Sequence, residues 1–317
     1  MTRIHWPKQQ LSISKLAFGC ASIMGRIGKR KALNAMAMAF DAGVTHFDVA
    51  RSYGFGDAER IVGRFAASRR GRMTIATKFG ILPQQLGPAK RAARPLVRLA
   101  RQVLPGAGAL VRRGSASMLM AGHYSLSEAR ISLEVSLREL GLDVIDLLFV
   151  HECRRVDPVN VDVIVWLEQL KSQGIIRAWG FATGGGDADH YQPACFAANA
   201  VLQRELRLQD LGDATTGLIC QAPFSLLGAR LAQASAPSRA RFDAWARALQ
   251  LRHEDLPGLL LESALHDGSE HVILCSMFDP AHVRANTGCL TEPRFAAGLR
   301  REFVQQLSEL SPAMEAA

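Results

Sequence analysis

Residues 43–63, GVTHFDVARSYGFGDAERIVG, read as a strand that ends in Asp48, a turn that presents Tyr53, and a helix that begins near Gly56. Two later segments repeat the form: TIATK ends at Lys78 and IDLLFVH ends at His151. A parallel β/α barrel puts such titratable residues at its mouth, because the packed strands hold position while the loops that follow them vary. Asp48, Tyr53, Lys78 and His151 are therefore the expected site. Period-two alternation over residues 44–48 sends His46 and Asp48 to one face, the barrel interior, and Thr45 and Phe47 to the other.

Outward from that stretch the same alternation of elements continues. Residues 1–14 form an expected hairpin turning near Pro7, Lys8 and Gln9, placed to plug the barrel floor. Core strands are expected at 15–20, 44–48, 73–78, 144–151, 175–183, 198–203, 217–223 and 271–276. Helices are expected at 31–42, 57–68, 125–140, 160–172, 239–251 and 256–266, with one more opened by Pro280. Ser125 and Glu128 stand at capping-box spacing, and Gly141 closes the helix they start. Eight βα units make a (β/α)8 TIM barrel, so the α/β chain is expected to be one domain over residues 1–317. The excursion at 81–122, after the third core strand, is too long for an ordinary βα loop and reads as an inserted lid or mobile loop.

Composition narrows the function classes. Of the 317 residues 48% are hydrophobic and 21% charged, which supplies ample core. The net charge is +9, and seven of those excess positive charges lie in the insertion, from Lys90 to Arg113, where no acidic residue occurs. The segment 80–122 has no aromatic residue to stack on bases, so no nucleic-acid role is expected. No apolar run is long enough for a signal peptide or a membrane span, and the six cysteines form no CxxC pair. A cytoplasmic protein, monomeric or weakly oligomeric, is the expectation. Gly184, Gly185 and Gly186 read as a loose loop, since no Lys-Ser/Thr follows them. Cys153 reads as an inert thiol and His46 as a satisfied core histidine.

The four convergent side chains suit proton transfer to oxygen. A phenol titrates near ~10 when unperturbed. An adjacent ammonium favours its phenolate, a carboxylate keeps that ammonium charged, and an imidazole can orient the reacting oxygen. Such a set fits carbonyl reduction or alcohol oxidation with a cofactor that carries hydride.

At these residues the sequence resembles the aldo-keto reductase superfamily. FDVARSYGFGDAERIVG is similar to its active-site signature, ATK to its lysine motif, and ISLEVSLRELGLDVIDLLFVHE to the helix and strand leading to its histidine. The similarity continues through GIIRAWGFAT, VLQRELRLQD, FSLLG and ILCSMFDPAHVRAN, with a pattern closest to bacterial sugar or aldose dehydrogenases. The resemblance implies a barrel binding NADP(H) or NAD(H) across its mouth, with no metal and a small carbonyl or alcohol as substrate. It makes Asp48, Tyr53, Lys78 and His151 the catalytic tetrad, Tyr53 being the proton donor in reduction. Gln203 would hold the nicotinamide carboxamide and Phe224 would stack on its ring, while Gly19 and Cys20 would pass beneath the cofactor at the end of the first core strand, with Asp48 as a further cofactor-binding residue. The usual Ser-Asn pair for the carboxamide is replaced by Ala182-Thr183, leaving Thr183 for one hydrogen bond. Where Lys or Arg grips the 2′-phosphate the chain reads Cys275-Ser276-Met277-Phe278, and a later Arg is His282. Ser276, His282 and Asn286 are the remaining cofactor candidates, with Arg284 or an insertion arginine as substitutes for the missing base. NADH is then expected alongside NADPH. Two rival readings remain open: a silent nucleotide-binding or regulatory member of the fold, and a metal-dependent hydrolase using His46, Asp48 and His151.

Overall fold

A computed structural model describes residues 2–83, 120–156, 159–184, 187–213 and 215–310. It starts with a two-stranded antiparallel hairpin, β1 (Arg3–Trp6) and β2 (Leu11–Ser14), turned at residues 7–10. The sequence alternates along both strands, and the apolar set Ile4, Trp6, Leu11 and Ile13 is buried against the barrel interior. Ser14 Oγ accepts from the Thr45 N–H, and the Trp6 indole N–H donates to the Glu270 carbonyl. Both partners precede barrel strands, so the hairpin closes the amino-terminal floor.

The barrel strands follow one another in chain order around a closed parallel cylinder. They are β3 (Leu16–Gly19), β4 (His46–Asp48), β5 (Thr74–Phe79), β8 (Ile145–His151), β9 (Ile176–Ala182), β10 (Val201–Glu205), β11 (Leu218–Gln221) and β12 (Val272–Cys275). A further pair, β6 (Ile81–Leu82) and β7 (Met120–Ala121), clasps the two ends of the basic excursion. The rest of that expected lid, 84–119, lies outside the described residues, as do Gly185 and Gly186. Small residues such as Ala17, Ala76, Ala178 and Ala182 line the interior with Leu147 and Phe149. Alternating small and large side chains lets facing strands fill the interior as a packed core.

Helices sheathe the cylinder: α1 (Lys29–Asp41), α2 (Ala58–Ala66), α3 (Leu126–Leu140), α4 (Val161–Ser172), α5 (Asp187–Ala197), α6 (Pro223–Gln233), α7 (Ala236–Ala248), α8 (Leu256–Leu265), α9 (Pro280–Thr291) and α10 (Ala297–Ser308). Helix α3 begins with the expected reciprocal cap between Ser125 and Glu128 and ends at Gly141 in the left-handed region. Three helices were not foreseen. Helix α5 carries Pro193 in its interior, α6 follows Ala222 in a left-handed conformation, and α10 joins α6, α7 and α8 in a second core around Phe242, Leu260 and Phe303. Among the described residues no helix is long and apolar enough to cross a membrane.

His46 points inward as alternation requires, fully buried, with Nδ1 2.9 Å from Thr74 Oγ1. Burial, helped by the positive charge of Lys78, lowers its pKa from 6.5 to about 3. A histidine depressed in the folded state stabilises the fold above its unfolded pKa, and that contribution is lost as pH falls toward the folded value. Unfolding free energy should therefore drop between pH 6.5 and about 3. His46→Gln should flatten that limb by up to about 1.4 kcal/mol per pH unit, measured by urea denaturation across pH. Trp6→Ala, which opens the floor, should cost roughly 3 to 5 kcal/mol in the same assay at pH 7.

Candidate active site

Strand β4 delivers Asp48 at its last position, and the chain then turns so that Tyr53 opens a short 3-10 helix, Tyr53–Gly56. The turn needs Gly54. Its φ is +61°, and a Cβ there would lie 2.5 Å from the Ile23 carbonyl oxygen. Helix α2 then returns along the barrel and carries Glu59, buried on its apolar side, whose carboxylate accepts from the Thr77 hydroxyl at 2.6 Å. This bond ties the signature helix to β5 next to Lys78. Sequence reasoning missed Glu59, though a carboxylate among Ala58, Ile61 and Val62 on one helix was a usable signal.

Lys78 is the centre of the arrangement. Its ammonium donates to Asp48 Oδ1, to the Val49 carbonyl at 3.2 Å and to Tyr53 Oη at 3.5 Å, which accounts for all three of its donors. It also lies 5.1 Å from the centre of the Tyr53 ring. His151, at the end of β8, faces that ring edge-on with centroids 5.8 Å apart. The structure thus brings together Asp48, Lys78 and His151 from three strand ends and Tyr53 from the turn after β4.

Their electrostatics follow from depth. Burial raises the Asp48 carboxyl, opposed by Lys78. Burial alone would lower the Lys78 ammonium, but Asp48 and then Tyr53 hold it above the ordinary lysine value. His151 is pushed well below the usual imidazole range, by burial first and Lys78 second, so it is neutral at pH 7. The phenol differs from expectation. Desolvation outweighs the pull of Lys78 and raises Tyr53, which therefore keeps its proton at neutral pH.

The expected cofactor positions divide. Gly19 borders Ser276, whose Oγ donates to the Gly19 carbonyl at 3.2 Å. A Cβ on Gly19 would come 3.1 Å from that oxygen. The Cys20 thiol belongs to the core between barrel and helices. Gln203 is paired in register with Ala182, which is itself paired with His151, so it stands at the level of the histidine. Its Nε2 donates to Gln221 Oε1, while the fully buried Gln203 Oε1 has no partner. Thr183 is buried and donates to the Cys153 carbonyl. Phe224 stands half-exposed in the first turn of α6, and His282 is exposed on α9. Asn286 is buried on α9 with its amide against Met277 sulfur. Helix α9 is capped by Asp279, which also pairs with Lys31 at 3.7 Å, a contact no sequence pattern announced.

The hydrolase ligand set is not assembled. His46 turns to Thr74 and Asp48 to Lys78, and among the described residues no group of three or more His, Cys, Asp or Glu is arranged to hold a metal. Cys153 is buried with its sulfur 3.1 Å from the Tyr191 hydroxyl.

Comparison with known proteins gives the chain a family. The D-threo-aldose 1-dehydrogenase of a Pseudomonas species is 27% identical over 184 residues, 56% of this chain and 52% of that protein. The NADH-specific methylglyoxal reductase of Escherichia coli K12 is 27% identical over 202 residues, 60% of this chain and 54% of that one. The chain spans about half the length of these curated relatives. A crystal structure of an aldo-keto reductase from Klebsiella pneumoniae in complex with NADPH shares the fold at a TM-score of 0.63 and 18% identity, over 100% of this chain and 98% of that one. The Aldo/keto reductase family model matches residues 15–209, a span holding every strand from β3 to β10. Across that span the fold and the sequence agree, and the chain belongs to the aldo/keto reductase family.

Proposed function

We propose that this chain is a nicotinamide-dependent oxidoreductase that interconverts a small carbonyl compound and its alcohol. The observation that carries the reading is the Lys78 ammonium, held by Asp48 and aimed at Tyr53 Oη. Tyr53 donates its proton to the carbonyl oxygen in reduction and takes it back in oxidation. A phenol raised by burial holds that proton at pH 7, and Lys78 stabilises the phenolate left behind. Asp48 keeps Lys78 charged. The neutral His151 orients the substrate oxygen by a hydrogen bond and adds no charge that would compete with Lys78.

The residues at the mouth fit a nicotinamide. The orphaned Gln203 Oε1 is an acceptor waiting for an amide N–H, Thr183 offers a second polar contact, and Phe224 presents an exposed ring. When bound, the nicotinamide supplies or takes up the hydride. The six cysteines are buried and form no disulfide with one another, which fits a reducing compartment, and we place the protein in the cytoplasm.

Tyr53→Phe should lower turnover by roughly 10²- to 10⁴-fold while leaving nucleotide affinity within about twofold. Wild-type turnover in this variant would sink the proposal, and nucleotide binding without any turnover in the native chain would favour the silent alternative. Either coenzyme is admitted, and Asp279 tilts the choice. A carboxylate at the start of α9 repels a phosphate dianion, whereas asparagine caps the helix as well without the charge. Asp279→Asn should tighten NADPH about two- to fivefold and leave NADH nearly unchanged, followed by fluorescence titration.

A further inference from the structure

Strand β8 ends unevenly. On one side its ladder with β9 runs to His151, paired with Ala182, and the Glu152 N–H then donates to the Ala182 carbonyl at 2.6 Å. On the other side its ladder with β5 stops at Val150, paired with Phe79, and the chain after β5 turns at Gly80 with φ +108°. Sheet register therefore reaches His151 from β9 and not from β5. Yet His151 is the residue that faces the Tyr53 ring edge-on at 5.8 Å.

A side chain takes over on the β5 edge. The buried Tyr124 places Oη 2.9 Å from the carbonyl oxygens of both His151 and Glu152, so one phenolic proton is shared between two main-chain acceptors. These carbonyls flank Glu152, whose φ of +49° is one that a residue with a Cβ rarely adopts. Such a backbone persists only where its surroundings hold it, and the shared phenol supplies that hold. Gly80 makes room for the ring. A Cβ there would lie 2.2 Å from the tyrosine ring and 3.3 Å from the His151 carbonyl oxygen.

The mount of Tyr124 is itself fixed. The His123 N–H donates to the Gly80 carbonyl at 3.2 Å, and His123 Nδ1 lies 2.6 Å from Glu128 Oε1. Glu128 Oε2 accepts from the Ser125 hydroxyl at 2.6 Å, within the cap that opens α3. The residues on both sides of Tyr124 are thus tied to one carboxylate. Through them Gly80, two residues past Lys78, is stitched to the end of β8 at His151.

We propose that Tyr124 is a positioning residue: its hydroxyl fixes the main chain at His151 and thereby holds the imidazole in place against Tyr53. The inference rests on the oxidoreductase reading and adds to its site a residue that acts only through His151. A misplacement of about 1 Å at a reacting group costs on the order of 10²-fold in rate.

Tyr124→Phe removes the hydroxyl and leaves the ring against Gly80, and two measurements read the result. The first is a double-mutant cycle on kcat/KM with saturating NADPH or NADH, using the best turned over of propanal, benzaldehyde and glyceraldehyde. It compares the native chain, Tyr124→Phe, His151→Gln and the two together, with nucleotide affinity followed by fluorescence titration. Tyr124→Phe should lower kcat/KM about 10- to 100-fold with nucleotide affinity within about twofold, and should cost less than about twofold in the His151→Gln background. The second needs no turnover. In a nitrogen–proton correlation spectrum of the imidazoles, the His151 signals, identified by their loss in His151→Gln, should shift in Tyr124→Phe while those of His46 stay in place. An equal loss of kcat/KM in both backgrounds, or an unmoved His151 signal, would overturn the positioning role. A native chain that turns over none of the three aldehydes would overturn the oxidoreductase reading, and the spectrum would then decide the placement of His151 by itself.

Discussion

The site depends on one buried positive charge. An ammonium taken out of water without partners costs several kcal/mol, so Lys78 is tolerable only because Asp48, Val49 and Tyr53 surround it with acceptors. The consequences spread through the barrel. The same charge presses His46 and His151 toward their neutral forms and opposes the burial that would otherwise fix the Tyr53 proton still more firmly. A neutral imidazole and a protonated phenol stand side by side because burial outweighs Lys78 at Tyr53 and acts together with it at His151. The position of Lys78 is secured in turn by the bond between Glu59 and Thr77, one residue before it in β5.

Some of the backbone strain lies at the same mouth. Strand β4 leads to left-handed residues at Gly54 and Phe55, β5 to Gly80, and β8 to Glu152. Each lies just after a strand that carries a site residue. The parallel strands below are pinned by their ladders and by a floor closed with Trp6, so the chain cannot relax by shifting the barrel. It absorbs the demands of the mouth in short turns, which glycine supplies cheaply at two of these places and Glu152 does not.

The sequence disclosed most of what the strands decide. Apolar runs ending in Asp48, Lys78 and His151 located the mouth because strand periodicity is a local property, and Ser125 with Glu128 located a helix start for the same reason. It was silent where tertiary contact decides. Helix α5 contains Pro193, a residue that argues against a helix, and its apolar side is recognised only against β9 and β10. Helix α6 was hidden behind FSLLG, which reads equally as a loop, and α10 is held by Phe303 and Leu307 in a core that only the folded chain brings together. The pairing of Lys31 with Asp279 joins helices some 250 residues apart, and no spacing rule reaches that far. The phenol's direction of shift also escaped, because the sequence shows the nearby charge and not the depth at which it acts.

Two of the buried polar atoms without a partner, Asp48 Oδ2 and Gln203 Oε1, belong to the site. An unmade bond at a buried oxygen costs about 1 to 3 kcal/mol, and a fold selected for stability alone would close it with a neighbour. Such a neighbour is within reach at Gln203, where Gln221 already accepts from one end of the amide and leaves the other end open. The rigidity of β10 between β9 and β11 keeps that oxygen from turning away. A ligand with an amide donor would thus gain a hydrogen bond there. An unmade bond at Gln203 Oε1 is stability that a bound amide would recover, and that oxygen stands at the level of His151, where the strands present the polar residues of the site.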